Sequence, residues 1–442
     1  MLARSVSLNV AGRVASLGLG FVASILLARL LGPTDRGLLG IMLSAGTLAL
    51  AVVGVGIPLA VTYYASRKDS SPGALLGNSL LWTGLIAVVL VPPVWFLHDP
   101  VADVLGRGRG GATWALAAAL VPITFLDWTT HNQLVGMLRF GRYNALVALS
   151  KVGYLLGVAF FLAVLDLGVT AGLIATGLSS ALMIGGSVGP SLAKERPRVD
   201  LAVMRRLMRY GVRVQVGSLT QIANTRLDVV VLQFFRPLSD VGYYVVAQSM
   251  AELVTTLGLA FQTSVLPLVS HYEGDDRQRE TSVASVRHHG ILAGVAVLFN
   301  AVFGTLVILL AFGNAFHPAV LPMLILLPGV WFLGMGAVIQ GDLGGRGRPG
   351  LSSALAGVAA LATVGLDLLL IPPLGVPGAA IASVIAYAIY GGASLVALSR
   401  VSGIPVAEMI VPRRSDFAAY ARILRSLPAR LRAARSGGAP DA

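Results

Sequence analysis

The chain has 442 residues, of which 56% are hydrophobic and only 12% are charged, and its mean hydropathy is +0.80. Soluble domains carry about 25% charged residues, so the composition excludes a soluble enzyme and predicts a membrane protein. The absence of cysteine excludes a disulfide framework and a thiolate metal site. Because the first apolar run reaches full membrane-spanning length with no small-residue cleavage site, we expect no cleavable signal peptide.

Twelve apolar segments are long enough to cross a membrane, which takes roughly 20 residues in helical form. Short loops separate them, with turn signals such as Gly32-Pro33 and Pro372-Pro373. We therefore predict an all-α polytopic membrane protein. The predicted spans are 7–30, 38–66, 74–97, 113–138, 143–165, 170–193, 207–235, 240–270, 286–312, 318–341, 350–371 and 377–399.

Basic residues favour one side of this topology. If the N-terminus is cytoplasmic, the cytoplasmic segments hold 24 of the 33 Lys and Arg residues. Because Lys and Arg favour the cytoplasmic side, both termini are predicted to lie there. The same asymmetry accounts for most of the net charge of +13, so we predict no binding to nucleic acid. The outer loops hold only Arg36, Arg107, Arg109 and Arg236.

The segment 401–442 is a basic cytoplasmic tail. On a helical projection its arginines share one side and its leucines the other, until Pro428 interrupts the pattern. This predicts a partly amphipathic segment on the anionic inner leaflet, and a disordered basic tail is the alternative beyond Pro428. The arginines are Arg414, Arg422, Arg425, Arg432 and Arg435.

The two halves of the chain form an internal repeat. Asp35-Arg36-Gly37 returns as Asp240-Val241-Gly242, and Pro58-Leu59 as Pro267-Leu268, about 205 to 209 residues later. Each half holds six predicted spans, and an even number gives both halves the same orientation, which is the parallel-repeat plan of many transporters. We predict an N-terminal six-helix lobe (1–200), a C-terminal six-helix lobe (201–400) and the tail (401–442).

Polar side chains inside spans are costly unless they face protein or water, so they are the best candidates for a functional site. In span 1, Asn9 and Arg13 lie on one polar stripe. Arg13 is predicted either to contact an anionic headgroup or to extend to the interface. Lys151, near the inner end of span 5, has the same two interpretations.

Span 7 is polar on two sides. Gln221, Asn224 and Asp228 share one face, Arg226 lies on another, and Arg213 is nearer the inner end. A helix of this kind is unsuited to lipid, so it is predicted to line a wet cavity between the lobes. Arg226 and Asp228 are two residues apart and do not form a simple intrahelical pair.

Carboxyl groups within spans are the candidates for ion coupling. Glu252 lies in the middle of span 8, on one stripe with Tyr244 and Gln248. It is predicted either to pair with a cation of span 1 or span 7, or to bind H⁺ or Na⁺. Asp228 and Asp127 are the other two candidates.

Several motifs are missing from the sequence. There is no Walker motif for an ATP motor, no HExxH and no Cys or His cluster for a metal. The longest outer loop, about 98–112, is a short connector, whereas a membrane polymerase or glycosyltransferase would need a larger outer catalytic loop. The sequence therefore predicts a protein that is not an enzyme and needs no cofactor beyond a coupling ion.

Three motifs in the first half of the chain suggest a family. They are Ala28-Arg29-Leu30-Leu31-Gly32-Pro33 with Asp35-Arg36-Gly37, Gly56-Ile57-Pro58-Leu59 with Tyr63-Tyr64-Ala65-Ser66, and Leu138-Arg139-Phe140 with Arg142-Tyr143-Asn144. These motifs resemble those of oligosaccharide flippases of the Wzx type, which belong to the multidrug/oligosaccharidyl-lipid/polysaccharide (MOP) superfamily. At the position of Arg36 those flippases commonly have an aromatic residue. The resemblance covers nearly the whole chain.

The resemblance implies a MATE-like fold of two six-helix lobes around a central cavity. It also implies a flippase that moves undecaprenyl-diphosphate-linked oligosaccharide from the inner to the outer leaflet by alternating access, for cell-surface polysaccharide biosynthesis in a bacterial-type cell membrane. An ion gradient or the substrate gradient would drive it. Its partners would be the lipid-linked oligosaccharide, membrane lipids and other polysaccharide-assembly proteins.

We assign the substrate site by position rather than by motif. Arginine suits it because its planar fork binds phosphate oxygens bidentately. The predicted substrate-binding residues are Arg13, Arg226, Lys151, Arg213, Asn9, Gln221 and Asn224.

Three alternatives stay open. MATE-like ion-coupled antiporters for drugs or metabolites share the implied fold, and carboxyl groups as well as basic groups lie within the spans here. Lipid II flippases are nearer in substrate, but their additional hydrophobic helices have no counterpart after residue 400. A membrane glycosyltransferase is disfavoured by the repeat and by the short outer loops.

Overall fold

The computed structural model is helical throughout the residues it describes, with no strand among them. It describes 2–67, 69–192, 195–272, 274, 276–414 and 416–417, with side chains from 18 onward except 190–192, 216 and 218. The α-helices are α1 Leu2–Val53, α2 Ile57–Arg67, α3 Pro72–Phe96, α4 His98–Gly106, α5 Thr113–Gly136, α6 Phe140–Val158, α7 Val169–Leu192, α8 Leu201–Phe235, α9 Leu238–Ala251, α10 Thr255–His271, α11 Asp276–Val307, α12 Val320–Gly345, α13 Pro349–Leu374, α14 Val376–Ser402 and α15 Val406–Ile410. The short elements are π-helical Ala159–Val164 and Ile308–Phe312, and 3₁₀-helical Glu252–Val254 and Asn314–Ala319.

Helix α1 is two helices joined at Gly32. This residue has φ 72° and ψ 175°, a conformation that is essentially restricted to glycine, and Pro33 follows it. An Nη atom of Arg36 lies 3.5 Å from Oγ of Ser24. Twelve residues of straight helix would separate these positions by about 18 Å, so the contact requires the chain to bend sharply back at Gly32.

The chain is a multi-pass membrane protein. Nine helical segments within the described residues are long and apolar enough to cross a membrane. The first, Gly18–Val53, contains the second part of predicted span 1 (18–30) and the first part of span 2 (38–53). The long but more polar α5 and α8 are not among the nine. The count of twelve spans and the cytoplasmic termini therefore remain predictions. The nine are Gly18–Val53, Pro72–Phe96, Phe140–Val164, Val169–Gly189, Leu238–His271, Asp276–Phe312, Asn314–Gly345, Pro349–Leu374 and Val376–Ser402.

By compactness the chain forms two units that do not coincide with the two sequence halves. The first comprises 1–253, 299–330 and 353–390, and the second comprises 254–298, 331–352 and 391–442. Phe125 lies fully buried in a core cluster of the first unit, and Met335 in that of the second. The division into lobes at residue 200 remains a prediction from the repeat.

The first part of the predicted tail is docked within the second unit. A carboxylate oxygen of Asp416 lies 2.8 Å from Nε of Arg287, and both side chains are more than 90% buried. Glu408 pairs with Arg279 at 2.9 Å. The part of the predicted amphipathic segment after Phe417, with Arg422, Arg425, Arg432 and Arg435, lies outside the described residues.

In the first unit, α1 and α9 cross at two glycines that the repeat pairs with each other. A Cβ atom on Gly37 would overlap the carbonyl oxygen of Leu238, and a Cβ atom on Gly242 would overlap that of Pro33. Each glycine thus faces the carbonyl group of the residue that lies four positions before the other glycine in the sequence. This reciprocal contact is what a two-fold relation between equivalent segments produces.

We predict that Gly37→Ala and Gly242→Ala both destabilise the protein, because the overlapped atoms are backbone atoms that cannot rotate away. Overpacking of this kind costs about 1–3 kcal/mol. The matched control is Gly20→Ala in the first part of α1, where nothing lies within 4 Å of the added Cβ. Thermal unfolding in detergent should give a lower Tm for the two variants and an unchanged or higher Tm for the control. Equal Tm values for all three would contradict the close crossing.

Candidate functional site

A buried polar cluster lies where α8, α9, α13 and α14 meet inside the first unit. At its centre is Asp228, which has no exposed surface. One carboxylate oxygen accepts hydrogen bonds from the Tyr244 hydroxyl at 2.5 Å and the Ser383 hydroxyl at 3.1 Å. The other accepts from the backbone N–H of Val229 at 2.8 Å. These donors offset part of the cost of burying a carboxylate.

A second carboxylate, Asp367, is also fully buried in this unit. Neither of its oxygens has a hydrogen-bond partner among the described residues. The charges of Asp228 and Asp367 act on each other, so a proton or cation bound at one carboxylate would affect the other. Because a buried carboxylate without a partner is costly as an anion, the pair is suited to hold H⁺ or Na⁺.

Asn224 is buried one helical turn before Asp228 and extends the same cluster. Its side-chain oxygen accepts a hydrogen bond from the Thr363 hydroxyl at 2.8 Å, and its amide donates to the carbonyl of Ala356 at 3.4 Å. The hydroxyl of Tyr387 donates to its backbone carbonyl at 3.2 Å. Asn224 therefore fixes α8 against α13 and α14.

Arg226 lies on another side of α8, beside the cluster. An Nη atom lies 3.6 Å from a carboxylate oxygen of Glu252, and the two side chains are 36% and 31% exposed. The other Nη atom donates to the Gln248 side-chain oxygen at 3.5 Å. Charge-assisted hydrogen bonds of arginine are usually about 2.7–2.9 Å. Both contacts are longer, so a phosphate oxygen would compete for the guanidinium.

Gln248 connects the arginine to the central carboxylate. Its oxygen faces Arg226, while its amide donates to the carbonyl of Thr225 at 2.9 Å and lies 3.5 Å from the carboxylate of Asp228. The same side chain is only 4% exposed. A shift of Arg226 would therefore move the side-chain amide of Gln248, which also contacts Asp228.

The structure thus brings together four of the predicted site residues: Asn224, Arg226, Asp228 and Glu252. The side chains of Gln221, Arg213 and Lys151 are exposed, and no described contact joins them to the cluster. Asp127 is elsewhere, on α5, where it lies 3.2 Å from Nδ1 of His131. The side chains of Asn9 and Arg13 lie outside the described residues.

The residues that α13 and α14 contribute were not among the predicted site residues. Thr363 and Asp367 are four residues apart on α13, and Ser383 and Tyr387 are four apart on α14. Each pair presents polar groups on one face of an otherwise apolar helix. That spacing is a signal that would have found them.

A comparison with protein families identifies the family of this chain. Residues 26–321 match a family described as "Polysaccharide biosynthesis protein". The chain belongs to this family. The predicted link to polysaccharide biosynthesis is confirmed at the level of this family.

Two relatives carry names from glycan biosynthesis. The succinoglycan biosynthesis transport protein ExoT of Rhizobium meliloti is 22% identical over 63% of this chain and 55% of its own length. The probable low-salt glycan biosynthesis flippase Agl15 of Haloferax volcanii is 23% identical over 76% of this chain and 79% of its own length. The match thus spans about half the length of the first relative.

Solved structures show the same fold. The lipid II flippase MurJ in an inward closed conformation has a TM-score of 0.75 at 15% identity, covering 91% of this chain and 89% of that chain. An inward-facing multidrug resistance MATE family transporter of the MOP superfamily has a TM-score of 0.71 at 18% identity, covering 88% and 95%. At these identities the likeness shows the fold alone. The predicted MATE-like fold is confirmed at this level.

Proposed function

We propose that this protein is a flippase that moves an undecaprenyl-diphosphate-linked oligosaccharide from the inner to the outer leaflet of a bacterial-type cytoplasmic membrane. It acts by alternating access, in cell-surface polysaccharide biosynthesis, as a transporter and not as an enzyme. The observation that carries the proposal is Arg226, a cation in a proposed span whose contacts with Glu252 and Gln248 are both long. Family membership and the names of the two relatives support the substrate class.

Arg226 is the residue that we propose for the diphosphate. Its planar fork presents two N–H groups to two phosphate oxygens, and these bonds are stronger than its present contacts. Glu252 acts as the resting partner, which keeps the cation compensated when the site is empty. Arg13, Lys151 and Arg213, with Asn9, Gln221 and Asn224, stay proposed as further headgroup contacts.

The first test is lipid analysis of a deletion strain of the source organism. Without the flippase, the strain should accumulate undecaprenyl-linked oligosaccharide, and the wild-type gene should relieve this accumulation. Arg226→Ala and Arg13→Ala should relieve it poorly, because loss of a charge-assisted contact costs about 1.5–3 kcal/mol, or roughly a tenfold to hundredfold loss of affinity. The matched control is Arg109→Ala, an exposed arginine paired with Asp35 at 3.4 Å, which should complement fully.

If the deletion strain accumulates no undecaprenyl-linked oligosaccharide and its surface polysaccharide is intact, the proposed flippase function is wrong. The second candidate, an ion-coupled antiporter for drugs or metabolites, would then take first place. The acidic cluster of Asp228, Asp367 and Glu252 favours that candidate, because it suits a cationic substrate as well as a coupling ion.

We propose that the coupling ion, H⁺ or Na⁺, binds between Asp228 and Asp367. Tyr244 and Ser383 already orient the first carboxylate, and the second has two oxygens without described partners. Glu252 then serves mainly as the counter-ion of Arg226, while Asp127 with His131 is a separate candidate in the N-terminal half. Gln248 links the ion site to the headgroup site.

Purified protein provides the test of this ion site. We expect wild type to bind radiolabelled sodium saturably, or, if H⁺ is the ion, to depend on a pH gradient for transport. Asp228→Asn and Asp367→Asn should each lose this response by at least about tenfold, since one buried charge contact contributes about 1.5–3 kcal/mol. The control is Asp103→Asn at an exposed position. Wild-type behaviour of both buried variants would refute the site.

For the topology we propose twelve spans with both termini cytoplasmic. The chain has no cysteine, so single cysteines report their side of the membrane without background. Arg109→Cys, at an exposed position in a proposed outer loop, should react with an impermeant maleimide in intact cells. Arg198→Cys, at an exposed position in a proposed inner loop, should react only after permeabilisation. The reverse pattern would invert the topology.

A further inference from the structure

A cavity of about 660 Å³ lies within the first unit and shares no lining residue with the polar cluster around Asp228. Its volume is in the range of about 300–1,000 Å³ that is usual for sites that bind small molecules. It is lined at the start of α9, α12 and α14, at the end of α13 and by the 3₁₀ segment Asn314–Ala319. The proposed transport mechanism does not use it.

The cavity lies at one end of four segments that are long and apolar enough to cross a membrane. Three of them begin at the cavity and the fourth ends there. Spans end where the hydrocarbon core meets the lipid headgroups, and the lining residues Leu321, Leu324 and Leu374 are exposed. A membrane lipid can therefore reach the cavity. The four segments are Leu238–His271, Asn314–Gly345, Val376–Ser402 and Pro349–Leu374.

Three polar side chains of the cavity wall have groups that are free to bind a ligand. Within the described part of the chain, the Asp240 carboxylate, the Tyr243 hydroxyl and the His317 imidazole make no hydrogen bond or ion pair. The Tyr243 ring is positioned by an edge-on contact with Phe316, with 6.2 Å between the ring centroids. These groups offer one anion and two neutral hydrogen-bonding partners.

Arg236 supplies a cation to the same cavity. A Cβ atom on Gly375 would lie 2.7 Å from Nε and 2.9 Å from Cζ of Arg236, so the guanidinium lies against the backbone of this glycine. Among the described residues its one hydrogen bond is a long one, from an Nη atom to the Pro372 carbonyl at 3.4 Å. Arginine has five N–H donors. The guanidinium is thus held in place with donors to spare for a phosphate.

The charges of the cavity wall indicate which ligand fits. One cation and one carboxylate match a ligand that carries one negative and one positive group. A lipid diphosphate has only negative charge, and the Asp240 carboxylate would repel it, so the proposed transport substrate is not the occupant.

We propose that this cavity binds the headgroup of a zwitterionic phospholipid with a primary ammonium group, as in phosphatidylethanolamine. The phosphate contacts Arg236, the ammonium donates hydrogen bonds to Asp240, and the acyl chains run along the exposed leucines. The occupant is a membrane lipid and not a soluble molecule, because the cavity combines these polar groups with exposed apolar side chains at the ends of the spans. The site does not depend on the proposed flippase function.

The test is native mass spectrometry of the purified protein mixed with equal amounts of phosphatidylethanolamine and phosphatidylglycerol that carry the same acyl chains. We expect wild type to retain phosphatidylethanolamine about tenfold better, which is the effect of one charge-assisted hydrogen bond. Asp240→Asn should lose this preference, because the amide neither attracts the ammonium nor repels an anionic lipid. Arg236→Gln should bind both lipids less well.

Two controls accompany these variants. Asp103→Asn, at an exposed position outside the cavity, should keep the preference of wild type. The Tm of Asp240→Asn should match that of wild type, because its carboxylate has no described partner to lose. The proposal is wrong if wild type does not prefer phosphatidylethanolamine or if Asp240→Asn keeps the preference. It is also wrong if the soluble headgroup, glycerophosphoethanolamine, competes as well as the whole lipid does.

Discussion

A charge inside a membrane protein must be compensated, and the second half of this chain is organised around that constraint. Asp228 is buried completely, and it persists there because Tyr244, Ser383 and the backbone of Val229 all donate to it. These donors come from three helices, so satisfying one carboxylate also fixes how α8, α9 and α14 pack. The oxygens of Asp367 have no hydrogen-bond partner among the described residues, and we propose that the coupling ion compensates this charge.

The arginine and the carboxylates are neighbours with different surroundings. Arg226 and Glu252 are about one-third exposed and make a long contact, whereas Asp228 is sealed and tightly hydrogen-bonded. A partly exposed pair contributes little to stability, and it exchanges partners at little cost. A fully buried carboxylate such as Asp228 interacts strongly with an ion that binds beside it. Gln248, with contacts to both, gives the proposed headgroup site and ion site a physical connection.

Much of this was predictable from sequence, for identifiable reasons. Hydropathy predicted a multi-pass helical protein, and three motifs predicted the family. The polar faces of α8 predicted Asn224, Arg226 and Asp228, because few polar residues interrupt an otherwise apolar chain. For Glu252, pairing with a cation of span 1 or span 7 was one of the two predicted roles, and Arg226 lies in span 7.

The remaining features could not be predicted, because they depend on contacts between residues far apart in the sequence and on the path of the backbone. Asp367 and Ser383 lie more than 130 residues from Asp228 in sequence, and no local pattern shows that α13 and α14 reach it. Arg36 was predicted in an outer loop, whereas it lies within helical α1 with only 7% of its surface exposed. The bend at Gly32 and the burial that follows are tertiary features. The reciprocal contact of Gly37 with Gly242 likewise appears only when the repeat is seen folded.

The central claim is movement of a lipid-linked oligosaccharide between leaflets, and reconstitution tests it most directly. Purified protein would be placed in liposomes that carry undecaprenyl-diphosphate-linked oligosaccharide labelled on its sugar, with an impermeant glycosidase outside. We expect a protein-free liposome to expose only the half of the substrate that lies in its outer leaflet. Wild-type protein should expose nearly all of the substrate, and Arg226→Ala far less. Equal exposure with and without wild-type protein, at a correctly folded and inserted level, would contradict the account.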